Sequence, residues 1–255
     1  MRVSALGLGT VKLGRDQGVK YPGHFTIPDD RTATALLARA RQLGINLLDT
    51  APAYGTSEQR LGELLGEQRR DWVICTKVGE EFEQGKSSYD FTPEHIVTSV
   101  ERSLKRLKTD YLDLVLVHSN GDDEAIIRNW DPLAQLVELK KRGMIRAIGM
   151  STKTVEGGLL AASRADCVMV TYNLDYRDEL PVLDYCAANN KGVLVKKALG
   201  SGNFSRDLED PVTANLHFIL QHSAVTSIVL GTINQDHLAS NVAICNTQLS
   251  RQTKT

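Results

Sequence analysis

The chain has 255 residues, 42% of them hydrophobic, which is long for one average domain but a natural size for a single α/β barrel. Its 30 basic and 31 acidic residues leave a formal charge of −1, so no global field draws it to nucleic acid or to an anionic membrane. Glycines interrupt the opening Met1–Gly9 segment where a signal peptide or membrane span needs an apolar run, and no later stretch approaches ~18 apolar residues.

In chain order, short apolar runs alternate with segments of helical periodicity. Strands are predicted at Ala5–Leu8, Ile45–Leu48, Trp72–Thr76, Leu112–Val117, Ile145–Met150, Cys167–Thr171, Gly192–Val195 and Ser227–Leu230. Helical periodicity covers Arg31 to Gln42, Ser57 to Gly66, Pro93 to Lys105, Pro132 to Lys141, Glu179 to Ala188 and Val212 to Gln221. Thr92 followed by Pro93 reads as an N-cap and a first-turn proline. Strict alternation implies parallel pairing, because parallel neighbours need a crossover that a helix supplies. An eightfold set closes into a (β/α)8 barrel, here one domain over residues 1–255.

Loop lengths separate the two ends of that barrel. Connections entering strands are short, such as Leu43-Gly44, Arg70-Asp71 and Arg142-Gly143-Met144, whereas those at Thr10 to Pro28, Gly79 to Phe91, Ser119 to Asn129 and Lys196 to Asp210 leave strands and are long. The long set marks the working face. Within it, the glycines and prolines of Gly14 to Pro28 suit either a lid or a plain surface loop.

Several motifs are set aside. Cys75, Cys167, Cys186 and Cys245 are scattered without a C-x-x-C pair, which points to core packing in a reducing compartment, the cytoplasm by default. The sequon Asn203-Phe204-Ser205 is read as chance without a secretory signal, and His24, His95, His217, His222 and His237 show no paired ligand spacing, so no metal site is expected. Gly79 to Ser87 resembles a P-loop but has five residues between its glycines where four are needed, and its three glutamates would repel phosphate.

Four polar residues remain at or just beyond consecutive strand ends: Asp49, Tyr54, Lys77 and His118. If the strands lie side by side, these groups converge. A phenol has a pKa near ~10, which a neighbouring ammonium lowers by roughly 1–3 units. Lys77 supplies that charge, Asp49 keeps Lys77 protonated and oriented, and a neutral His118 hydrogen-bonds a carbonyl oxygen and aims it at Tyr54. Each residue alone has a structural explanation, as a turn opener, a packing ring, a surface lysine or a strand-end histidine. Their joint placement describes a proton-transfer site.

Over nearly its whole length the chain resembles the aldo-keto reductases. The resemblance rests on Gly7-Leu8-Gly9-Thr10, Leu48-Asp49-Thr50-Ala51 with Tyr54-Gly55 and Ser57-Glu58, Thr76-Lys77, Asp113-Leu114 running to Val117-His118, Gly143 to Gly149, and Gly231-Thr232 with Asn241. It implies a (β/α)8 fold, a catalytic tetrad of Asp49, Tyr54, Lys77 and His118, and a nicotinamide cofactor, NADPH or alternatively NADH. Hydride would pass to the carbonyl carbon of a small aldehyde or ketone while Tyr54 protonates its oxygen. Gly9, Thr10 and Asp49 are further implied at the cofactor. Ser151 and Thr152 match the pair that holds the carboxamide, with Thr152 replacing asparagine. Leu199, Gly200, Ser201 and Gly202 resemble the pyrophosphate loop, Gly231, Thr232, Asn234 and Asn241 the adenosine end, and Lys196 and Lys197 are further expected at the cofactor.

This chain departs from the family pattern in three further places. Lys196-Lys197 stand where many members stack an aromatic ring on nicotinamide, Met169 stands where glutamine is usual, and Ile233 and His237 supply no permanent charge for a 2′-phosphate. Lys196, Lys197 or Arg206 would have to compensate. Two other functions compete: a Schiff-base aldolase using Lys77, Lys196 or Lys197, and a non-catalytic barrel that senses redox state through bound cofactor. The short polar tail, Ser250 to Thr255, suggests an open pocket that admits varied aldehydes, and a monomer is the default assembly.

Overall fold

The computed structural model describes residues 1–19, 23–202 and 208–252. Arg206, the sequon at 203–205, residues 20–22 of the first long loop and tail residues 253–255 fall outside that set. Ten strands occur among the described residues: β1 (Leu6–Gly9), β2 (Leu47–Asp49), β3 (Val73–Val78), β4 (Glu80–Glu83), β5 (Lys86–Tyr89), β6 (Leu112–His118), β7 (Ile145–Ser151), β8 (Cys167–Thr171), β9 (Gly192–Lys196) and β10 (Val225–Leu230). Nine α-helices accompany them: α1 (Asp30–Gln42), α2 (Ser57–Leu65), α3 (Pro93–Arg106), α4 (Asp123–Asn129), α5 (Pro132–Lys141), α6 (Val155–Arg164), α7 (Leu180–Ala188), α8 (Pro211–Leu220) and α9 (Gln235–Gln252). All eight predicted strands are present and close, in chain order and in parallel, into one barrel from β1 through β2, β3, β6, β7, β8, β9 and β10 back to β1.

Both faces of these strands are buried, which is why they read as nearly unbroken apolar runs. Leu47, Cys75, Leu114, Leu116, Cys167, Met169 and Leu194 fill the interior of the cylinder. The alternate residues, such as Ile74, Val115, Val117, Val168, Val170, Val193 and Val195, pack outward with the helices. Each side chain buried in this way is worth roughly 1.5–3 kcal/mol.

The two ends of the barrel carry different chemistry. At the N-terminal end Asp113, 1% exposed, accepts from Arg69 Nη2 at 2.8 Å, Ile74 N at 3.0 Å and Arg146 Nη1 at 3.1 Å, joining β3, β6 and β7. At the opposite end, period-two alternation sets Asp49, Lys77, His118 and Lys196 two residues beyond the interior Leu47, Cys75, Leu116 and Leu194, and so on the same inner face.

Two connections differ from expectation. The Gly79 to Phe91 loop contains an antiparallel hairpin, β4 against β5, turned by Gln84 and Gly85 at φ of 49° and 81°. Two left-handed residues make the tight turn that matches strand twist. The three glutamates that argued against a phosphate loop mask the strand pattern. The Ser119 to Asn129 loop contains α4, whose Asp123 is buried and accepts from Lys153 N, Thr154 N and Thr154 Oγ1, each at 2.8 Å, tying the loop after β6 to the loop after β7. No helix among the described residues is long and apolar enough to cross a membrane.

Candidate active site

Asp49 ends β2, Lys77 lies on β3 and His118 ends β6, while Tyr54 closes a short 3-10 turn, Pro52–Tyr54, just after β2. That turn is fixed by a close approach of two loops. Gly55 has a φ of 61°, and a Cβ on it would lie 2.2 Å from Gly14 O, while a Cβ on Gly14 would lie 2.2 Å from Ser57 N. Side chains at either position would push the phenol away. A hydroxyl cluster supports the same corner: Thr10 Oγ1 donates to Asp49 O at 2.9 Å, and the Ser57 hydroxyl lies 2.8 Å from Thr10 Oγ1 and 3.0 Å from Thr50 Oγ1. Glu58 accepts from Thr76 Oγ1 at 2.7 Å. The Ser57-Glu58 motif therefore braces β2 and β3.

The four sequence-predicted residues come together. Lys77 Nζ donates to Asp49 Oδ1 at 2.6 Å, to Thr50 O at 2.9 Å and to Tyr54 Oη at 3.1 Å. Tyr54 Oη makes a longer contact to Asp49 Oδ2 at 3.4 Å. The rings of Tyr54 and His118 meet edge to face with centroids 6.4 Å apart. Burial alone would discharge Lys77, but Asp49 and the Tyr54 oxygen outweigh it and hold its pKa above the ordinary lysine range. A permanent cation therefore touches the phenol oxygen, an arrangement that would favour a phenolate there.

His118 has a neighbour that sequence reading missed. Its Nδ1 lies 2.7 Å from Glu80 Oε2 on the hairpin. The oxygen sits off the N–H axis, so the contact is a close charge contact and falls short of an aligned hydrogen bond. Glu80 also accepts from Ser87 Oγ at 2.6 Å across the hairpin. Burial would raise the Glu80 carboxyl, but His118, Ser87 and Arg15 together hold it down at about 2. Burial pulls the His118 imidazole below its usual range, Glu80 opposes this, and Lys77 and Lys196 add to it. In the sequence Glu80 was one of three clustered acids, and nothing there distinguished it from Glu81 or Glu83.

The predicted cofactor contacts divide into groups. Ser151 and Thr152 lie buried at the end of β7, and Lys196 Nζ donates to Ser151 Oγ at 2.9 Å and to Thr152 O at 2.7 Å. Burial pulls Lys196 down to about 8, while a buried Glu179, itself pushed up to about 7 by burial, partly offsets the effect. Asn173 Nδ2 holds the Lys197 carbonyl at 2.9 Å, and the Lys197 side chain is exposed. Gly200, Ser201 and Gly202 all take left-handed backbone, with φ of 54°, 59° and 92°. Gly9 packs against Gly231, which with Thr232 follows β10, and Asn241 lies buried on α9.

Two of the predicted contacts are occupied by structural roles. Thr10 is fully buried and bonded within the hydroxyl cluster. Asn234 Oδ1 caps α9, accepting from Asp236 N at 2.9 Å and His237 N at 3.0 Å. Met169 fills the barrel interior and offers no amide.

These features suit a nicotinamide dinucleotide. A buried serine hydroxyl held by a lysine is placed for an amide, and the left-handed turn after β9, whose Gly200 and Gly202 amides donate to Lys197 O at 2.9 Å and Leu199 O at 2.7 Å, carries little side-chain bulk where a pyrophosphate would approach.

The family model described as Aldo/keto reductase family matches residues 5–215. The PA4992 protein of Pseudomonas aeruginosa, solved as a candidate aldo-keto reductase, is 55% identical with a TM-score of 0.89, covering 97% of this chain and 91% of that one. The aldo-keto reductase AKR11C1 of Bacillus halodurans, solved in its holo form, is 27% identical with a TM-score of 0.79, covering 95% and 86%. The NADH-specific methylglyoxal reductase of Escherichia coli is 28% identical over 97% of this chain and 91% of its own length.

Proposed function

Because this chain belongs to the aldo/keto reductase family, we propose that it reduces small aldehydes or ketones to alcohols with Tyr54 as proton donor. The observation that carries this reading is the buried Lys77 ammonium, 2.6 Å from Asp49 and 3.1 Å from the Tyr54 oxygen. A reduced nicotinamide, when bound, supplies hydride. Tyr54 gives its proton to the carbonyl oxygen as the C=O π bond opens, Lys77 stabilises the resulting phenolate, and solvent returns the proton. Ser151, whose oxygen already accepts from Lys196, is left to donate its own hydrogen to a carboxamide oxygen. The turn at Gly200 to Gly202 and the segment from Gly231 to Asn241 would hold the phosphates and adenosine.

NADPH is the proposed donor, with NADH the alternative that the uncharged Ile233 and His237 favour. Lys196 is engaged on Ser151, and the proposed compensating cations for a 2′-phosphate are Lys197, whose side chain is exposed, and Arg206, which lies outside the described residues. The NADH specificity of the E. coli relative supports keeping NADH as the alternative. Four free, buried cysteines support a reducing compartment.

The test is titration with NADPH and NADH followed by turnover of a panel of aldehydes. Binding is best read from the fluorescence of the reduced nicotinamide, because Trp72 is buried just before β3 at the closed end of the barrel. Failure to bind either nucleotide would overturn the proposal. A Schiff-base reading is favoured at one residue only, Lys196, whose pKa burial brings to about 8. A covalent borohydride-trapped adduct at Lys196, with no change in nicotinamide absorbance, would support that reading instead. A non-catalytic sensor predicts tight nucleotide binding with no turnover.

A further inference from the structure

We propose that Glu80 is a positioning residue that keeps the proton of neutral His118 on Nδ1, so that Nε2 presents a lone pair to the substrate. The inference rests on the carbonyl-reductase reading but uses a contact outside the tetrad. Glu80 is ionised and has only acceptor atoms, and one of them lies 2.7 Å from Nδ1. A bare Nδ1 would hold its partial negative charge against the carboxylate at that distance, whereas an N–H there presents positive charge to it. The bent N–H direction does not change this exclusion, because the alternative remains repulsive.

The groups around His118 come from every neighbouring element: Glu80 from β4, Lys77 from β3, Tyr54 from the turn after β2 and Lys196 from β9, with Arg15, Ser87 and Tyr89 acting through Glu80. Of these, Glu80 alone is a carboxylate in contact with the ring. Ser87 Oγ fixes its second oxygen, so the hairpin register decides which atom of His118 carries hydrogen.

The consequence concerns which substrate form His118 can hold. A lone pair on Nε2 accepts the hydroxyl hydrogen of an alcohol and cannot donate to a carbonyl. Binding a carbonyl therefore requires a second proton on the ring, giving an imidazolium that the Glu80 carboxylate stabilises. Carbonyl reduction should then fall about tenfold per pH unit above the His118 pKa, while alcohol oxidation should not.

Glu80→Gln replaces the carboxylate by an amide that can donate to Nδ1 and free the other tautomer. In this variant the alkaline fall in carbonyl reduction should flatten, and the His118 pKa should drop by about one unit or more as the neighbouring charge is lost. Nitrogen-15 NMR of the imidazoles, with His118 assigned by the signal lost in His118→Asn, reads tautomer and pKa without turnover. Wild type should show hydrogen on Nδ1 and a bare Nε2, and Glu80→Asp should keep that pattern. A bare Nδ1 in the wild type, or an unchanged spectrum and pH profile in Glu80→Gln, would overturn the proposal. If wild type reduces no carbonyl, the reductase reading fails, and the NMR result still decides whether Glu80 sets the tautomer. If Glu80→Gln does not fold, the wild-type spectrum and Glu80→Asp give the same decision.

Discussion

Lys77 and Asp49 form an ion pair of 2.6 Å whose side chains are only 1% and 5% exposed. Such a pair contributes little net stability, but breaking it on one side leaves a buried charge unmatched. Asp49→Asn is expected to lower unfolding free energy by about 3–5 kcal/mol. Adding Lys77→Met should recover part of the loss. Denaturant melts of the wild type, both single variants and the double variant check this, and strict additivity would contradict it. The Lys77 pKa is raised on folding, so its contribution is fully present below the unfolded value of ~10.4 and is lost only as pH passes the higher folded value. The coupling should therefore hold constant from neutral pH to about 10.

Tyr54→Phe removes the proposed donor and leaves the surrounding corner of Thr10, Thr50 and Ser57 intact. Carbonyl turnover should fall by about 10²–10⁴-fold, the usual worth of a positioned acid. Nicotinamide binding, read by fluorescence, should persist. Unchanged turnover would remove Tyr54 from the chemistry.

The barrel was legible because strands buried on both faces leave apolar runs that composition cannot hide, as at Leu112 to Val117. The clustering of Asp49, Tyr54, Lys77 and His118 was legible because they sit where those runs stop. What escaped were contacts set by register and loop path. Glu80 meets His118 only because β4 and β5 pair as they do. Lys196 and Lys197 look equivalent in sequence, yet strand alternation turns the first inward to Ser151, and a left-handed φ of 53° at the second leaves it exposed. Thr10 and Asn234 matched a binding pattern, but a hydroxyl cluster and a helix cap occupy them, and no local pattern separates those roles.

Lys196→Met removes a charged donor from Ser151, and such bonds are worth about 1.5–3 kcal/mol. The Kd for reduced nicotinamide should rise by about tenfold or more. The lysine also has a stability signature. Its folded pKa, about 8, lies below the unfolded value of ~10.4, so the unfolded chain binds more protons between them. Wild-type stability relative to Lys196→Met should rise with pH across that window. Paired denaturation series at pH values from about 7 to 10 check the sign.

Asp113→Ala strikes the other end of the barrel. It strands Arg69, whose side chain is 8% exposed, and leaves the Ile74 amide without its acceptor. A loss of about 3–5 kcal/mol is expected, with kcat unchanged at temperatures where the variant is folded. A fall in kcat without a fall in melting temperature would show that the two ends are coupled.

Arg15 reaches three segments at once: its Nη1 donates to Ala53 O at 2.9 Å, its Nε to Gln17 O at 2.8 Å, and its guanidinium lies 3.4 Å over the Phe82 ring on the hairpin. One cation thus rivets the first loop, the corner that carries the phenol and the β4–β5 arm together. Grafting that arm from a homologue without a ring at this place would loosen the other two pieces, so a working chimera must exchange all three as one cassette.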